Sequence, residues 1–245
     1  MISLIVYTMK SPLHILAALS LSTLGFSSVA QAEDKKAPEV KKLGDSLYQI
    51  GKIHFDSSKA EIHIPTTLQH DKVIMEYVLT TNLGKVHETL LLTDISPFNL
   101  NVVFKLLNYQ SSEELFPVLN KDYIPTDKLH TATEEQKQHS RFSMSASWKI
   151  EGEKFSYPLE SLFLHTNGSG DTMPVAPWVY GGSYMHNGHY RPDINGDIIA
   201  ILTDRTAIAN YSGKTRHDDT LWVPNKKILP AIGTPIILTL KKINR

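Results

Sequence analysis

Residues 73–93 read VIMEYVLTTNLGKVHETLLLT, and this stretch decides the expected fold class. Its first part, Val73 to Thr81, is rich in apolar and β-branched residues, a composition typical of a strand buried on both faces. Gly84 suits the left-handed position that closes a three-residue hairpin loop. Val86 to Thr93 then has the composition of a partner strand. The stretch therefore predicts a β-hairpin and, with it, an antiparallel sheet.

Four titratable side chains in this hairpin form the main candidate functional cluster. If Thr81 pairs with Lys85, then Glu76 and Glu88 are diagonal neighbours on one face, and Lys85 and His87 share the other. Two acids on a mostly apolar face can share a proton or bind a cation, and a Lys-x-His pair can bind an anion or donate a proton. A structural salt-bridge cluster at a sheet edge is the alternative, and a one-residue change of register would exchange the faces.

The sequence on either side of the hairpin has mainly the period-two alternation that is typical of strands. In Lys59 to Pro65, apolar residues alternate with polar ones, which indicates a half-buried strand. Thr234 to Lys242 has the same pattern near the C-terminus. This pattern and the turn signals between segments indicate roughly ten strands.

One segment has the clear pattern of a helix. Ser96 and Pro97 are typical of an N-cap and a first helical position, and apolar residues follow at helical spacing to about Tyr109. A shorter helix at 112–119 and a helical turn at 158–163 are weaker candidates. The sequence thus predicts an α+β, mainly β fold, with antiparallel sheets arranged like a sandwich and one or two short helices.

The N-terminus has the pattern of a secretory signal peptide. Lys10 precedes an apolar stretch from Leu13 to Phe26, which is too short to span a bilayer. Ala30-Gln31-Ala32 then matches the small-residue cleavage signature. Met9 would begin a more conventional signal peptide than Met1 does. The expected location is therefore the periplasm or the exterior, with no transmembrane segment left after cleavage.

The rest of the chain is expected to form one domain. The predicted organisation is a signal peptide at 1–32, a flexible leader at 33–44 and a single β-rich domain at 45–245. Within this domain, 122–140 is polar and is predicted as a long loop. Two β subdomains divided near residue 130 are the alternative.

Composition and absent motifs exclude several function classes. Lys+Arg and Asp+Glu are both 25, so the formal net charge is zero and nothing favours a nucleic-acid partner. The chain has no cysteine, which excludes disulfides, Cys-ligated zinc or iron–sulfur clusters and a thiol nucleophile. It also lacks G-x-S-x-G, H-E-x-x-H, P-loop and dinucleotide-binding motifs.

Histidines near a tight turn are weak candidates for metal ligands. His186 and His189 flank the turn dipeptide Asn187-Gly188, and His87 is a third candidate. Spacing identifies no further ligand, so a surface turn is the alternative. Residues 193–197 superficially resemble a calcium loop, but a hairpin turn fits their glycine position better.

A group of aromatic residues later in the chain suggests a surface for ligand recognition. Aromatic rings offer apolar contact, and tyrosine and tryptophan add a polar tip. The candidates are Trp178, Tyr180 and Tyr184, in segments expected to form a short strand and loops.

Short segments along the chain match the pattern of a known family. They are Met75-Glu76-Tyr77, Gly84-Lys85-Val86-His87-Glu88, the helix at Pro97, Trp178 to Ser183, Gly196 to Ala200, and Pro230 to Pro235. In these segments the chain resembles the YdjY-type domain family of secreted bacterial proteins, over about residues 45–242. The resemblance implies secretion and a single family domain, and it implies no particular activity. Some family members have been described as ferredoxin-like, but a cysteine-free chain cannot hold a Cys-ligated cluster.

Three functions remain compatible with these patterns. The leading hypothesis is a non-enzymatic periplasmic binding or accessory protein, whose partner is a small molecule or a periplasmic protein. The second is a His/carboxylate metal-binding protein, or a metal-dependent enzyme, that uses His87 with Glu76 and Glu88. The third is a hydrolase that uses Glu76 and Glu88 as its two carboxylates. The sequence identifies no cofactor.

Overall fold

The computed structural model of the chain describes residues 38–243, so the predicted signal peptide lies outside the described residues. Within this range there are eighteen strands and three α-helices. The strands are β1 (Val40–Lys42), β2 (Leu47–Ile50), β3 (Ile53–Asp56), β4 (Glu61–Leu68), β5 (Tyr77–Thr80), β6 (Thr89–Leu92), β7 (Pro117–Leu119), β8 (Pro125–Leu129), β9 (Arg141–Ile150), β10 (Glu153–Pro158), β11 (Phe163–His165), β12 (Trp178–Tyr180), β13 (Met185–His186), β14 (His189–Tyr190), β15 (Asp197–Ala200), β16 (Ala209–Tyr211), β17 (Trp222–Pro224) and β18 (Pro235–Lys242). The helices are α1 (Pro97–Leu106), α2 (Glu134–Ser140) and α3 (Arg191–Asn195), and short 3₁₀-helices lie at Val86–Glu88 and Leu159–Leu162.

Eight of the strands close into a barrel, so the predicted antiparallel sandwich is wrong, although the mainly β composition is confirmed. The order around the barrel is β4, β18, β9, β12, β16, β15, β5 and β6, and β6 pairs back with β4. The closing pairs are Thr67 with Leu92 and Leu68 with Leu91. Outside the barrel, β3, β2 and β1 continue the sheet from β4, and β10 pairs with β9.

The predicted hairpin at 73–93 is also wrong, because β5 and β6 run parallel, with Tyr77 opposite Thr89. Thr81 does not pair with Lys85. Its backbone N–H donates to the carbonyl oxygen of Gly196 at 2.8 Å. The chain then turns through the 3₁₀-helix at Val86–Glu88 and enters β6 in the same direction as β5. The path of the chain after β5 thus depends on the contact with Gly196, more than a hundred residues away in the sequence, and not on a hairpin turn at Gly84.

Several local expectations change in the same way. The segment 112–119 contains strand β7 and no helix, and the expected loop at 122–140 contains β8 and α2. Residues 193–197 contain the end of α3, the left-handed C-cap residue Gly196 and the first residue of β15, and they do not form a hairpin turn. In the segment predicted as a leader at 33–44, residues 40–42 form β1, which pairs with β2.

The expected first helix is confirmed as α1. The Ser96 hydroxyl accepts a hydrogen bond from the backbone N–H of Asn99 at 3.2 Å, and Pro97 is the first helical residue. The helix buries Leu100, Val103 and Phe104 against the core. It therefore packs against the core with the amphipathic face that the sequence predicted.

Inward-facing side chains fill the barrel, as is usual for eight strands. On β18, Ile236, Leu238 and Leu240 are fully buried, as their alternation predicts. The hydrophobic core cluster runs from Ile50 to Leu240 and includes residues on both sides of position 130. No helix among residues 38–243 combines the length and the hydropathy needed to cross a membrane.

Candidate functional site

The four candidate residues lie close together, but the predicted separation of Lys85 and His87 from Glu88 on opposite faces is wrong. The Nζ atom of Lys85 is 3.8 Å from Oε1 of Glu88, and Nε2 of His87 is 3.6 Å from Oε2 of the same carboxylate. The side chain of His87 is 81% exposed. The backbone N–H of Glu76 donates to the carbonyl oxygen of Glu88 at 3.0 Å. The parallel crossover, and not a hairpin, brings these residues together.

Glu76 and Glu88 form a carboxyl pair in direct contact. Burial raises the pKa of Glu76, and the neighbouring Glu88 carboxylate raises it further, while Lys85 opposes both effects. The two side chains are within hydrogen-bonding distance of each other. A two-carboxylate glycosidase needs at least about 5 Å between its carboxyl groups to hold the scissile bond. The arrangement therefore suits a shared proton and gives the hydrolase hypothesis no support.

Lys85 is also tied to a buried network that the sequence did not predict. Its Nζ donates to the Tyr77 hydroxyl at 2.8 Å, and this hydroxyl donates to Oδ2 of Asp204 at 2.9 Å. Both oxygens of Asp204 also accept from the Thr206 hydroxyl. Burial holds the pKa of Tyr77 well above its usual value, and the nearby Asp204 carboxylate adds to this effect. Tyr77 is therefore a neutral hydrogen-bonding link between Lys85 and Asp204.

Two glycines close the base of this cluster. A Cβ atom placed on Gly196 would lie 2.2 Å from the backbone nitrogen of Gly84, so the two backbones pack in direct contact. The buried carboxylate of Asp197 accepts the backbone N–H of Lys85 at 3.2 Å, and burial raises its pKa. These contacts fix the loop at 81–85 onto the end of α3. They are typical of structural support for the barrel.

The predicted metal ligands do not assemble into a larger group. His186 and His189 face each other across the β13–β14 hairpin, and both are exposed. Asn187 and Gly188 form the expected tight turn, both with positive φ. Within residues 38–243, no three His, Asp or Glu side chains are placed to hold a metal ion. The described structure therefore gives no support to the metal-binding hypothesis.

The predicted aromatic group is mostly inside the barrel. Trp178 and Tyr180 lie on β12 and are fully buried, whereas Tyr184 is exposed. The Tyr180 ring stacks on Phe104 at a centroid distance of 4.4 Å, and its hydroxyl donates to the side chain of Asn101. Trp178 and Tyr180 thus form part of the core and offer no loop surface to a ligand.

A cavity of about 560 Å³ lies at a gap in the sheet beside β9. Along one edge of β9, β12 pairs with residues 141–142 and β10 pairs with residues 145–150, which leaves Ser143 and Met144 between them. Strand β18 occupies the other edge of β9. The polar side chains that line the cavity belong to Ser143, Ser145, Ser156, Tyr157 and Glu160.

Glu160 is the unusual residue of this cavity, because it is a carboxylic acid that is only 4% exposed. Its Oε1 accepts the indole N–H of Trp178 at 2.8 Å. Burial raises its pKa, although the Trp178 bond opposes this effect. Within the described residues, no other side chain donates a hydrogen bond to this carboxylate. A buried acid with a raised pKa at a cavity is a physical marker of a binding or catalytic site.

One local signal in the sequence points to Glu160. The expected helical turn at 158–163 is confirmed as a 3₁₀-helix, and Glu160 is the only acid in this apolar turn. Glu76 is likewise the only charged residue in the apolar stretch Val73 to Thr81. Nothing local showed that Trp178 would supply the partner or that β10 and β12 would leave a gap.

No protein-family model, curated protein or solved structure matches the chain. The resemblance to the YdjY-type family stays a prediction.

Proposed function

We propose that this chain is a non-enzymatic binding protein of the periplasm or exterior, and that it holds a small hydroxylated amine in the cavity at Glu160. The single observation that carries the proposal is a buried carboxylate that lines a cavity and accepts a hydrogen bond from one side chain. The signal-peptide pattern at 1–32 supports the location. Mass spectrometry of the exported chain tests that part, and a mature N-terminus at Glu33 is expected.

The charge of Glu160 favours a cationic ligand. An ionised carboxylate in a poorly solvated position is unfavourable unless a cation or hydrogen-bond donors compensate it. The Trp178 N–H supplies one donor to one oxygen. A ligand ammonium group at the carboxylate would supply both the positive charge and further donors.

The remaining polar groups of the cavity favour a ligand with hydroxyl groups. Ser143, Ser145, Ser156 and Tyr157 each present a hydroxyl, and none of these hydroxyls bonds to another side chain or backbone group within 38–243. A hydroxyl can both donate and accept, so it can pair with a ligand hydroxyl in either sense. The volume of about 560 Å³ lies in the range of small-molecule sites.

The composition of the cavity also favours binding over catalysis. Glu160 is the only carboxyl group among the residues that line it. General acid–base catalysis commonly uses two titratable groups whose environments separate their pKa values. A single acid beside neutral hydroxyls is better suited to hold a ligand cation.

Isothermal titration calorimetry with glucosamine and glucose tests this proposal, because the two sugars differ in an amine. We expect glucosamine to bind with a stoichiometry of one and at least about tenfold more tightly than glucose. Glu160→Gln keeps an oxygen for Trp178 but removes the charge, so it should remove this preference. Glu153→Gln changes an exposed acid of β10, the strand that precedes the 3₁₀-helix of Glu160, and should leave this preference unchanged. Equal affinity for the two sugars, or no binding of glucosamine, would contradict the proposal.

A further inference from the structure

We infer that the protein has a second binding site, for an amphipathic carboxylate such as an acyl-chain acid, on the outer face of the barrel. The site is a groove of about 700 Å³ over β10, β9, β18 and β4, here called the lysine groove. Lys149 and Lys154 lie at its cationic end, and Ile237 lies on its floor. This second site goes beyond the proposed function, because its lining residues differ from those of the Glu160 cavity and its ligand has the opposite charge.

The two lysines are held close together. Lys149 on β9 and Lys154 on β10 are directly opposite each other in the antiparallel pair, so their side chains share one face. Both are exposed, and neither forms an ion pair in the described part of the chain. Like charges directly opposite on paired strands are destabilising. An anion between the two ammonium groups would remove this repulsion.

The nearby acids do not neutralise this pair. Glu153 is opposite Ile150 and therefore points to the other face, and Glu151 lies in the turn. At the far end of the groove, the carboxylate of Glu61 is 2.8 Å from Nζ of Lys241. No acidic side chain is among the residues that line the groove. The groove therefore has a positive end without a counter-charge.

The floor of the groove also has an exposed aliphatic surface. Ile237 is 42% exposed and lies opposite Ser147 on β9 and Pro65 on β4, in the middle of the sheet face. Pro235 lines the groove beside it. An acyl chain that covers Ile237 would remove apolar surface from water while its carboxylate contacts the lysines. This combination favours an amphipathic carboxylate over a free inorganic anion.

The imidazole of His63 borders the groove away from the lysines. Its Nδ1 is 3.1 Å from the Thr239 hydroxyl, and burial lowers its pKa below the usual value. The nearby Glu61 carboxylate opposes this lowering of the pKa. His54, which is directly opposite His63 in the β3–β4 pair, lowers the pKa further. His63 therefore favours the neutral form at neutral pH. It adds a polar contact to the groove but no further positive charge.

Calorimetric titration of the full mature chain with decanoate tests the inference, with 1-decanol and inorganic phosphate as matched probes. We expect saturable binding of one decanoate, weaker binding of both other probes, and a loss of affinity as salt concentration rises. The double variant K149Q/K154Q should bind decanoate at least about tenfold more weakly. K121Q/K128Q removes two exposed lysines elsewhere and should bind as the wild type does.

Further variants separate the two sites and the two parts of the ligand. Ile237→Gln should weaken decanoate binding without changing its salt dependence. Glu160→Gln should bind decanoate normally, and saturating glucosamine should not displace it. Equal binding of decanoate and 1-decanol, phosphate binding as tight as decanoate binding, or an unchanged affinity in K149Q/K154Q would overturn the inference. If K149Q/K154Q does not fold, salt-independent binding to the wild type would overturn it.

Discussion

The indole N–H of Trp178 donates a 2.8 Å hydrogen bond to the carboxylate of Glu160. This bond joins barrel strand β12 to the 3₁₀-helix that follows β10, across the gap where the cavity lies. The bond explains how an acid can be buried at this place, because it satisfies one carboxylate oxygen and the only polar atom of a fully buried tryptophan side chain.

The first prediction concerns the contribution of this bond to stability. Glu160→Ala leaves the Trp178 N–H buried without an acceptor, so we expect a loss of about 1–3 kcal/mol in the free energy of unfolding. Glu160→Gln keeps an acceptor oxygen and avoids burial of a charge, so its loss should be below about 1 kcal/mol. Urea unfolding measures both values. Equal losses in the two variants would show that the bond is not what stabilises this position.

The second prediction concerns pH. Burial raises the pKa of Glu160 above its usual value of 4.5. At a pH between the usual pKa and the raised pKa, the folded chain therefore retains a proton that the unfolded chain has released. The free energy of unfolding should therefore fall as pH rises from 4.5 through the raised pKa. Glu76 and Asp197 act in the same direction. Glu160→Gln should show a shallower fall in urea unfolding from about pH 4 to about pH 8, and identical curves for variant and wild type would contradict this expectation.

The third prediction concerns the network at Lys85. Tyr77→Phe removes the hydroxyl that accepts from Lys85 and donates to Asp204, so we expect a loss of about 1.5–3 kcal/mol in the free energy of unfolding. The matched control is Tyr123→Phe, because Tyr123 is 84% exposed. It should change stability by no more than about 0.5 kcal/mol. If denaturant unfolding gives the two variants the same stability, the hydrogen bonds of the Tyr77 hydroxyl do not contribute to the free energy of unfolding.

The fourth prediction concerns the contact between two loops. Gly196 has φ of +76°, and a Cβ atom there would lie 2.2 Å from the backbone nitrogen of Gly84. Gly196→Ala should therefore cost at least about 2 kcal/mol, from the left-handed conformation and the steric overlap together. Gly152 also has positive φ, but no atom lies within 4 Å of its Cβ position. Gly152→Ala should cost only about 1 kcal/mol, and thermal denaturation that ranks the two variants in the opposite order would contradict the packing described here.

Local patterns predicted the parts of the fold that depend on local contacts. The alternation at 234–242 corresponds to β18, and the Ser96-Pro97 signal corresponds to the start of α1. The arrangement of the strands was not predictable in this way. Closure of the barrel depends on Leu68 meeting Leu91, and the parallel course of β5 and β6 depends on Thr81 meeting Gly196. Neither contact can be predicted from the spacing of nearby residues.

The same division applies to the candidate sites. Glu76 and Glu88 were predicted to be neighbours, and they are. Lys85 was predicted to lie on the other face of a hairpin, whereas the crossover places its Nζ 3.8 Å from Oε1 of Glu88. The partner of Tyr77 is Asp204, 127 positions away, and no local pattern joins them. The burial of Trp178 was missed for a related reason, because an aromatic segment looks the same in a core strand and in a binding loop.

The most direct test of the central claim is an NMR titration of the Glu160 side-chain carboxyl carbon, with and without glucosamine. The carboxylate lines a cavity and is penalised by burial, so the free protein should show a pKa above the usual value for glutamate. Glucosamine should lower this pKa by placing an ammonium group beside the carboxylate, whereas glucose should leave it almost unchanged. A pKa at the usual value in the free protein, or one that does not respond to glucosamine, would contradict the account.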